Sequence, residues 1–366
     1  MNRILVFSLL CLLTCGPASL HAGKNFFQVP WMTPPAPDES LMANPAMTWN
    51  FNFRKYSPGS AETLWTDPSF QRDVSEGKQT AGARPTALSV TCDDDGFALF
   101  VFSGEPDLAA ALDSGRDAPS SVLECYIVPR DADNEKIEHY YQFIIDQKSN
   151  TIRDFPWLID GRGFQSMAGR FRPETRLLRN GYLTKLAFPW HFFWDRLPFL
   201  TQDDNLWRLG VMRWCPGGGQ TWGGIVHEVS RMGCINWPEF TPQRRTAVMK
   251  RILRHAWTHY HSLKPDLAPA FFPPDTSPYR KELPRDAHSW NFIPQYQDFC
   301  GEVLNAMVAE RDALGKTISA FETLPLKEQE AFYRENAGKL MNFEHDVRRA
   351  FRLWLEEKIT LGEIAK

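Results

Sequence analysis

The sequence lacks several features that would by themselves indicate a function. Its 41 Lys and Arg residues stand against 44 Asp and Glu residues, so it has none of the basic excess typical of nucleic-acid-binding proteins. It has no Cys-x-x-Cys pair, which argues against a thioredoxin-like or zinc-ribbon protein. It also lacks Gly-x-Ser-x-Gly, a Walker loop and a strand-linked Gly-x-Gly-x-x-Gly, so the common hydrolase and nucleotide-binding motifs are absent.

Long apolar runs are absent as well. The apolar run Ile4–Leu13 spans about ten residues, half of what a membrane-spanning helix needs. A basic residue before it and small residues after it are typical of a secretory signal peptide over residues 1–22, with cleavage after Ala22 or Ala18. We therefore expect a secreted, periplasmic or cell-envelope protein without a membrane span. A weak lipoprotein box leaves lipidation at Cys15 open.

Removal of that signal would leave an odd number of cysteines, namely Cys92, Cys125, Cys215, Cys234 and Cys300. In an oxidising compartment, at least one thiol then stays free or pairs between chains. Cys92 and Cys125 lie on predicted strands, where a cysteine acts as a small apolar residue. Cys215 and Cys234 flank one loop system, so they are the favoured disulfide pair.

Short apolar runs separated by turn residues dominate the middle of the chain, residues 45–240. The run 122–128 is apolar at both odd and even positions, as expected for a central strand covered on both faces. Asp93–Gly96 predicts a hairpin turn in which Gly96 can take a positive φ at little cost. Many short strands without long helices between them predict a mainly β protein, an antiparallel β-sandwich.

The regions on either side of this sandwich differ in composition. Residues 23–44 are rich in proline and predict an extended leader rather than packed structure. A helical period over 241–263, with Thr241 as N-cap, predicts a helix packed on the sandwich. A Pro-rich connector over 264–294 and a helical C-terminal region over 295–366 complete the expected domain order.

The stretch from Tyr182 to Trp237 carries a series of motifs in a distinctive order. A strand closing in Ala187-Phe188-Pro189-Trp190 is followed by a strand with two arginines, Arg208 and Arg213, and then by a loop Trp, a His and a Gly-containing strand. This order resembles the family 9 carbohydrate-binding modules, and the resemblance covers roughly residues 45–240. It implies a sugar-binding β-sandwich that is not catalytic.

The family holds its sugar between two Trp rings, with polar side chains around the rim. By motif, the resemblance assigns Arg213 and Trp222 to the site, and it places Glu124 and Gln142 on strands that carry polar groups. His227 matches the family His, either as a ligand residue or as a brace of the loop. For the second ring the candidates are Trp65 and Trp49, and Trp65 is taken as the site residue. The full candidate set is Trp222, Arg213, Trp65, Glu124, Gln142 and His227.

Residue spacing limits these assignments. Arg208 and Arg213 are five positions apart on one strand, so they point to opposite faces and at most one can face a ligand. We expect the other to form a structural ion pair. The run Gly217–Gly219 departs from the family pattern and makes the loop before Trp222 pliable.

Few residue patterns in the sequence indicate a metal ion or a cofactor. Asp93–Asp95 does not reproduce the alternating spacing of a calcium loop, although the family resemblance implies a structural calcium ion in some members. His255 and His259 stand one helical turn apart, but the Glu of a His-Glu-x-x-His motif is missing. We therefore expect no cofactor, with a structural calcium ion left open.

Three other functions stay open. Sandwiches in exported electron-transfer proteins bind haem through a Met and a His. The residues available for that role are Met167, Met212, Met232, His139 and His227. The chain could also be an accessory chain of a glycoside hydrolase, which is the enzyme class expected if it is an enzyme, or a structural envelope protein. The family resemblance implies a poly- or oligosaccharide as partner, and the oligomeric state is left open.

Overall fold

The structure is a computed structural model of the 366-residue chain. It describes residues 26–51, 53–56, 63–64, 84–106, 108–119, 121–129, 140–155, 172–200, 206–215, 218–223, 232–263 and 294–363. The chain divides into two compact units. The first, the sandwich unit, runs to Pro189 and resumes over Arg196–Glu239, and the second, the helical unit, comprises Trp190–Asp195 and Phe240–Lys366.

The sandwich unit contains two sheets in the described residues. The larger sheet has the strand order β3-β2-β12-β11-β6-β7-β8, with β13 paired to β11 and to β1. Its strands are β1 (Phe26–Gln28), β2 (Arg54–Tyr56), β3 (Thr63–Leu64), β6 (Val122–Val128), β7 (Tyr141–Asp146), β8 (Thr151–Phe155), β11 (Leu206–Cys215), β12 (Gly218–Trp222) and β13 (Gly233–Asn236). The smaller sheet has the order β4-β5-β10-β9, formed by β4 (Thr86–Cys92), β5 (Gly96–Gly104), β9 (Glu174–Leu178) and β10 (Gly181–Pro189).

The two sheets pack face to face through large apolar side chains. Phe97 of β5 lies 5.8 Å from Trp207 of β11 and 5.0 Å from Trp237, measured between ring centroids. Phe143 of β7 lies 5.2 Å from Phe188 of β10. The pairings are antiparallel except between β1 and β13. The expected mainly β, antiparallel sandwich with a C-terminal helical extension is therefore confirmed.

The predicted hairpin is present as β4 and β5, but its glycine has a different role from the one expected. Gly96 is not among the described residues with positive φ. A Cβ at this position would lie 2.2 Å from the carbonyl oxygen of Phe188 on β10. Gly96 is therefore required because two backbones approach closely, not because the turn needs a left-handed residue.

The Pro-rich leader is packed, contrary to the expectation of an extended segment. We call residues 26–51, the described part of the leader together with the residues that follow it, the N-terminal strap. Its strand β1 joins the larger sheet, and Leu41 and Met47 are buried against Ala98 and Phe100 of the smaller sheet. The strap covers the outward face of that sheet, so β5 is buried along its whole length. β5 therefore carries apolar residues at both odd and even positions because both of its faces are covered.

The described residues of the helical unit are mainly α-helical. Its helices are α2 (Pro242–Leu263), α3 (Pro294–Phe299), α4 (Asn305–Ser319), α5 (Leu326–Met341) and α6 (Phe343–Thr360), while a short α1 (Leu108–Asp113) belongs to the sandwich unit. A π-helical turn, Cys300–Leu304, joins α3 to α4. Arg245 of α2 pairs with Glu330 of α5 at 3.1 Å. The predicted helices are present. Residues 264–293 of the predicted connector over 264–294 lie outside the described residues. Packing of α2 on the sandwich stays a prediction.

The favoured disulfide is not formed. Neither Cys215 nor Cys234 takes part in a disulfide. In the register of β11 and β13, Cys234 pairs with Arg208, seven residues along β11 from Cys215. At about 3.3 Å per residue the two cysteines are separated by about 23 Å, too far for a bridge. No helix within the described ranges is long and apolar enough to cross a membrane.

Candidate functional site

Four side chains form a polar group on the outward face of the larger sheet, and we call them the outer-face cluster: Glu124, Tyr126, Gln142 and Trp214. The indole Nε1 of Trp214 donates to Oε1 of Glu124 at 2.7 Å. The Nε2 atom of Gln142 lies 3.3 Å from Oε2 of Glu124 and 3.2 Å from the Tyr126 hydroxyl. The Tyr126 hydroxyl also donates to Oε2 of Glu124. One carboxylate therefore organises three neighbouring side chains.

Strand alternation brings these residues together. Glu124 and Tyr126 are two positions apart on β6, so both face outward, and Gln142 of β7 lies directly opposite Tyr126. On the other side of β6, Trp214 of β11 lies opposite Val122, which is two residues from Glu124 and on the same face. Residues at such diagonal positions are within reach of long and aromatic side chains. The register of three strands thus determines the cluster.

At one end of the cluster, Tyr126 packs into a group of buried side chains. Tyr126 is fully buried and contacts Tyr140 edge to face, with ring centroids 5.5 Å apart. Both belong to a core group that includes Met212 and Met232. Burial raises the pKa of Tyr126 well above its ordinary value, and its hydrogen bond to Glu124 raises it further, so the phenol remains a neutral donor.

Trp214 is the exposed member of the cluster. Its side chain is 37% exposed, whereas Gln142 is 9% exposed and Glu124 is half-buried. A tryptophan whose N–H is held by a carboxylate and whose ring remains open to solvent presents an apolar face in a fixed orientation. Such a surface can stack on the apolar face of a flat ligand, while the neighbouring carboxylate accepts hydrogen bonds from it.

The structure places Arg213 on the opposite face of β11, between the two sheets, and this corrects its assignment as a ligand residue. The side chain is wholly buried, and one terminal nitrogen donates to Oε1 of Glu105 at 2.6 Å and to the carbonyl of Gly104 at 2.8 Å. Its Nε donates to Ser121 at 3.2 Å. Burial lowers the pKa of Arg213, and the charge of Glu105 opposes that shift.

The parity argument from the sequence is therefore right, but the roles are reversed. Arg213 forms the structural ion pair, and Arg208 lies on the outward face. The guanidinium of Arg208 donates to the carbonyl of Met232 at 3.2 Å. Arg208 is six residues along β11 from Trp214, so the backbones of these two residues lie about 20 Å apart.

Trp222 also differs from its expected role. Trp222 lies on β12 opposite Val211 of β11. Its side chain points between the sheets and is fully buried. No face of this ring is open to a ligand, because β12 continues the inward alternation of β11. Of the two candidates for the second ring, Trp49 packs half-buried in the strap beside the smaller sheet. Trp65 and His227 lie outside the described residues, so their assignment stays a prediction.

Trp214 was missed because it directly follows the predicted strand that ends at Arg213 and no family motif names it, and a tryptophan is more often a core residue than a ligand platform. The signal that could have found it is the same alternation that separates the two arginines. If Arg213 faces inward, its neighbour Trp214 faces outward, on the face that Glu124 shares. Glu124 and Gln142 were both named from the family pattern, and the structure brings these two together.

The described residues provide no metal centre. They contain no group of three or more His, Cys, Asp or Glu side chains placed to hold an ion. His255 stacks on His191 with ring centroids 3.6 Å apart and planes 18° from parallel, a geometry in which the two rings do not point at a common ion. In the Asp93–Gly96 turn, Oδ1 of Asp93 accepts from the backbone N–H groups of Asp95 and Gly96.

The two candidate haem-binding methionines that the structure describes lie in the protein core. Met212 and Met232 are buried in the core group beneath Tyr126. Met167, His139 and His227 lie outside the described residues. That alternative therefore stays an untested prediction.

Comparisons with known proteins give a fold likeness. No protein-family model matches the sequence, and no curated protein matches it. Similar solved structures include a family 9 carbohydrate-binding module from Caldicellulosiruptor kristjanssonii in complex with cellotriose. It is 10% identical, with a TM-score of 0.33, and the match covers 59% of this chain and 95% of that chain. The complex of such a module from that organism with glucose gives 11% identity, a TM-score of 0.33 and coverage of 59% and 97%.

These structures belong to the family that the motif order resembles. At a TM-score of 0.33, however, the superpositions carry no argument about the ligand or the location of a site. The site described above therefore depends on the register, exposure and hydrogen bonds of this chain alone.

Proposed function

We propose that this chain binds carbohydrate without catalysing a reaction, through the outer-face cluster of its larger sheet. The observation that carries the proposal is the exposed indole of Trp214, held by Glu124 through a 2.7 Å hydrogen bond. Sugars present flat C–H faces that stack on an indole and a rim of hydroxyls that donate to carboxylates. The motif order in the sequence supports the same ligand class.

We also propose that the protein acts outside the cytoplasm. An N-terminal secretory signal would place the protein in the periplasm, the cell envelope or the exterior, where polysaccharides are met. Its function there would be to bind poly- or oligosaccharides during their utilisation. The signal and the role in utilisation are supported by the sequence pattern of residues 1–22 and by the family resemblance.

Isothermal titration against β-glucan, xylan and their oligosaccharides tests the proposal. We expect Trp214→Ala to weaken binding by about ten- to a hundredfold, because loss of a stacked aromatic ring costs about 1–3 kcal/mol. Trp214→Phe should recover part of that affinity, since it restores a stacking face without the N–H donor.

A matched control separates stacking from general surface effects. Leu177 is an exposed apolar side chain on the smaller sheet, 47% exposed, and Leu177→Ala should leave binding unchanged. Absence of binding by the unaltered protein at millimolar sugar would contradict the proposal. Unchanged binding by Trp214→Ala would move the site away from the outer-face cluster.

A further inference from the structure

We infer that Glu124 makes the outer-face cluster selective by charge: it disfavours acidic sugars, accepts neutral sugars and favours amino sugars. This inference depends on the proposed carbohydrate function and adds the class of sugar. It starts from the position of the carboxylate, which lies 2.7 Å from the indole nitrogen and therefore beside any sugar that stacks on Trp214.

The carboxylate retains capacity for one more partner. The two oxygens of an ionised carboxylate offer about four lone-pair directions and no donor. Oε2 accepts from Tyr126 and Gln142, and Oε1 accepts from Trp214. The remaining lone pair belongs to Oε1, the oxygen nearest the exposed ring. It can accept from a hydroxyl or an ammonium group, but it repels a second carboxylate.

A second carboxylate lies on the same outward face. Asp146 of β7 lies opposite Val122, on the same outward face, with Val122 between it and Trp214. Its Oδ1 caps the backbone N–H groups of Lys148 and Ser149. Of the side chains that the structure describes on β6, β7 and β11, the one outward cation is Arg208, at the far end of β11. Both carboxylates, Glu124 and Asp146, thus lie on the β6–β7 side of the Trp214 indole.

The size of the effect follows from Coulomb's law. Two unit charges roughly 6 Å apart at a wetted protein surface change affinity by a factor on the order of ten, with opposite sign for a carboxylate and an ammonium group. The hydrogen bonds from Tyr126 and Gln142 fix Glu124 in place, so the charge is presented at the same position for every ligand.

Matched sugar trios test the inference in the full chain. The methyl glucoside, glucuronide and glucosaminide share one ring shape and carry charges of zero, minus one and plus one near neutral pH, and a galactose trio repeats the comparison. We expect the unaltered protein to bind the glucosaminide about tenfold more tightly and the glucuronide about tenfold more weakly than the glucoside. In Glu124→Gln, both ratios should shrink to within about threefold.

The ratios keep the inference separate from a folding defect. If Glu124→Gln merely loosened Trp214, affinity for all three sugars would fall equally and the ratios would persist, which would overturn the inference. Glu174→Gln, a carboxylate on the smaller sheet with the same change in net charge, should leave all affinities unchanged. If the unaltered protein binds none of the sugars, the proposed function fails and the charge selectivity fails with it.

Discussion

Substitution of Arg213 distinguishes a structural role from a ligand role. The side chain donates to Glu105 at 2.6 Å, to Gly104 at 2.8 Å and to Pro85 at 3.0 Å, and it has no exposed surface. Arg213→Leu removes the charge and leaves Glu105 buried with Arg84 as its remaining partner. Breaking a buried ion pair by removing one partner costs about 3–5 kcal/mol.

That loss is large against a typical total stability of about 5–15 kcal/mol. With a urea slope of about 2 kcal/mol/M, a loss of about 4 kcal/mol lowers the unfolding midpoint of the sandwich unit by about 2 M. Near-ultraviolet circular dichroism measures this transition, because Trp207, Trp222 and Trp237 are all buried in that unit. Sugar affinity measured well below the midpoint should stay within about threefold of the unaltered protein.

The opposite pattern would refute this reasoning. If Arg213→Leu abolished sugar binding while the unfolding midpoint moved by less than about 0.3 M, Arg213 would be a ligand residue, as the family motif suggests. Arg213→Lys gives a graded check, because lysine keeps the charge but lacks the fork that reaches several acceptors. We expect its midpoint to lie between those of Arg213→Leu and the unaltered protein.

Other perturbations probe the close contacts, the strap and the buried phenol. Gly96→Ala should destabilise the sandwich unit by about 1–3 kcal/mol in urea unfolding, because its Cβ would lie 2.2 Å from a backbone oxygen; an unchanged midpoint would contradict the observed spacing. Leu41→Ala should cost about 2–5 kcal/mol in the same assay, and no loss would mean that the strap is not part of the core. The raised pKa of Tyr126 means that the unfolded chain loses its proton first, so stability present below about pH 10 is lost as the pH rises further. Tyr126→Phe should flatten that loss in unfolding experiments from pH 8 to 11, and an identical slope in both proteins would exclude Tyr126 as its source.

Much of the sandwich could be predicted from residue pattern alone. The hairpin around Asp93–Gly96, the strands of the larger sheet and the change to helical period at Thr241 all follow from short-range signals. The side chain of Thr241 accepts from the backbone N–H of Arg244 at 3.4 Å, as its predicted N-cap role requires. Such features depend on neighbouring residues, which a sequence presents directly.

The strap and the site could not be predicted in the same way. Proline content describes the local stiffness of residues 23–44, but their burial depends on the apolar outward face of a sheet formed much later in the chain. Likewise, a motif fixes the order of Arg213 and Trp222, whereas their exposure depends on which face of the sheet meets its partner. Strand alternation alone allows either face of β11 to point inward. The motif placed Arg213 on the outward face, but in the structure Arg213 points inward.

The pairing of β1 with β13 has a consequence for how the protein reaches its native state. At this seam Nε2 of Gln28 donates to the backbone carbonyl of Asn236, and Nδ2 of Asn236 donates to Oε1 of Gln28, although the two residues are 208 positions apart. A contact of such long range adds to a high contact order, and folding slows as contact order rises. Among the described strands β1 pairs with β13 alone, so this seam can form only after nearly two thirds of the polypeptide has been synthesised.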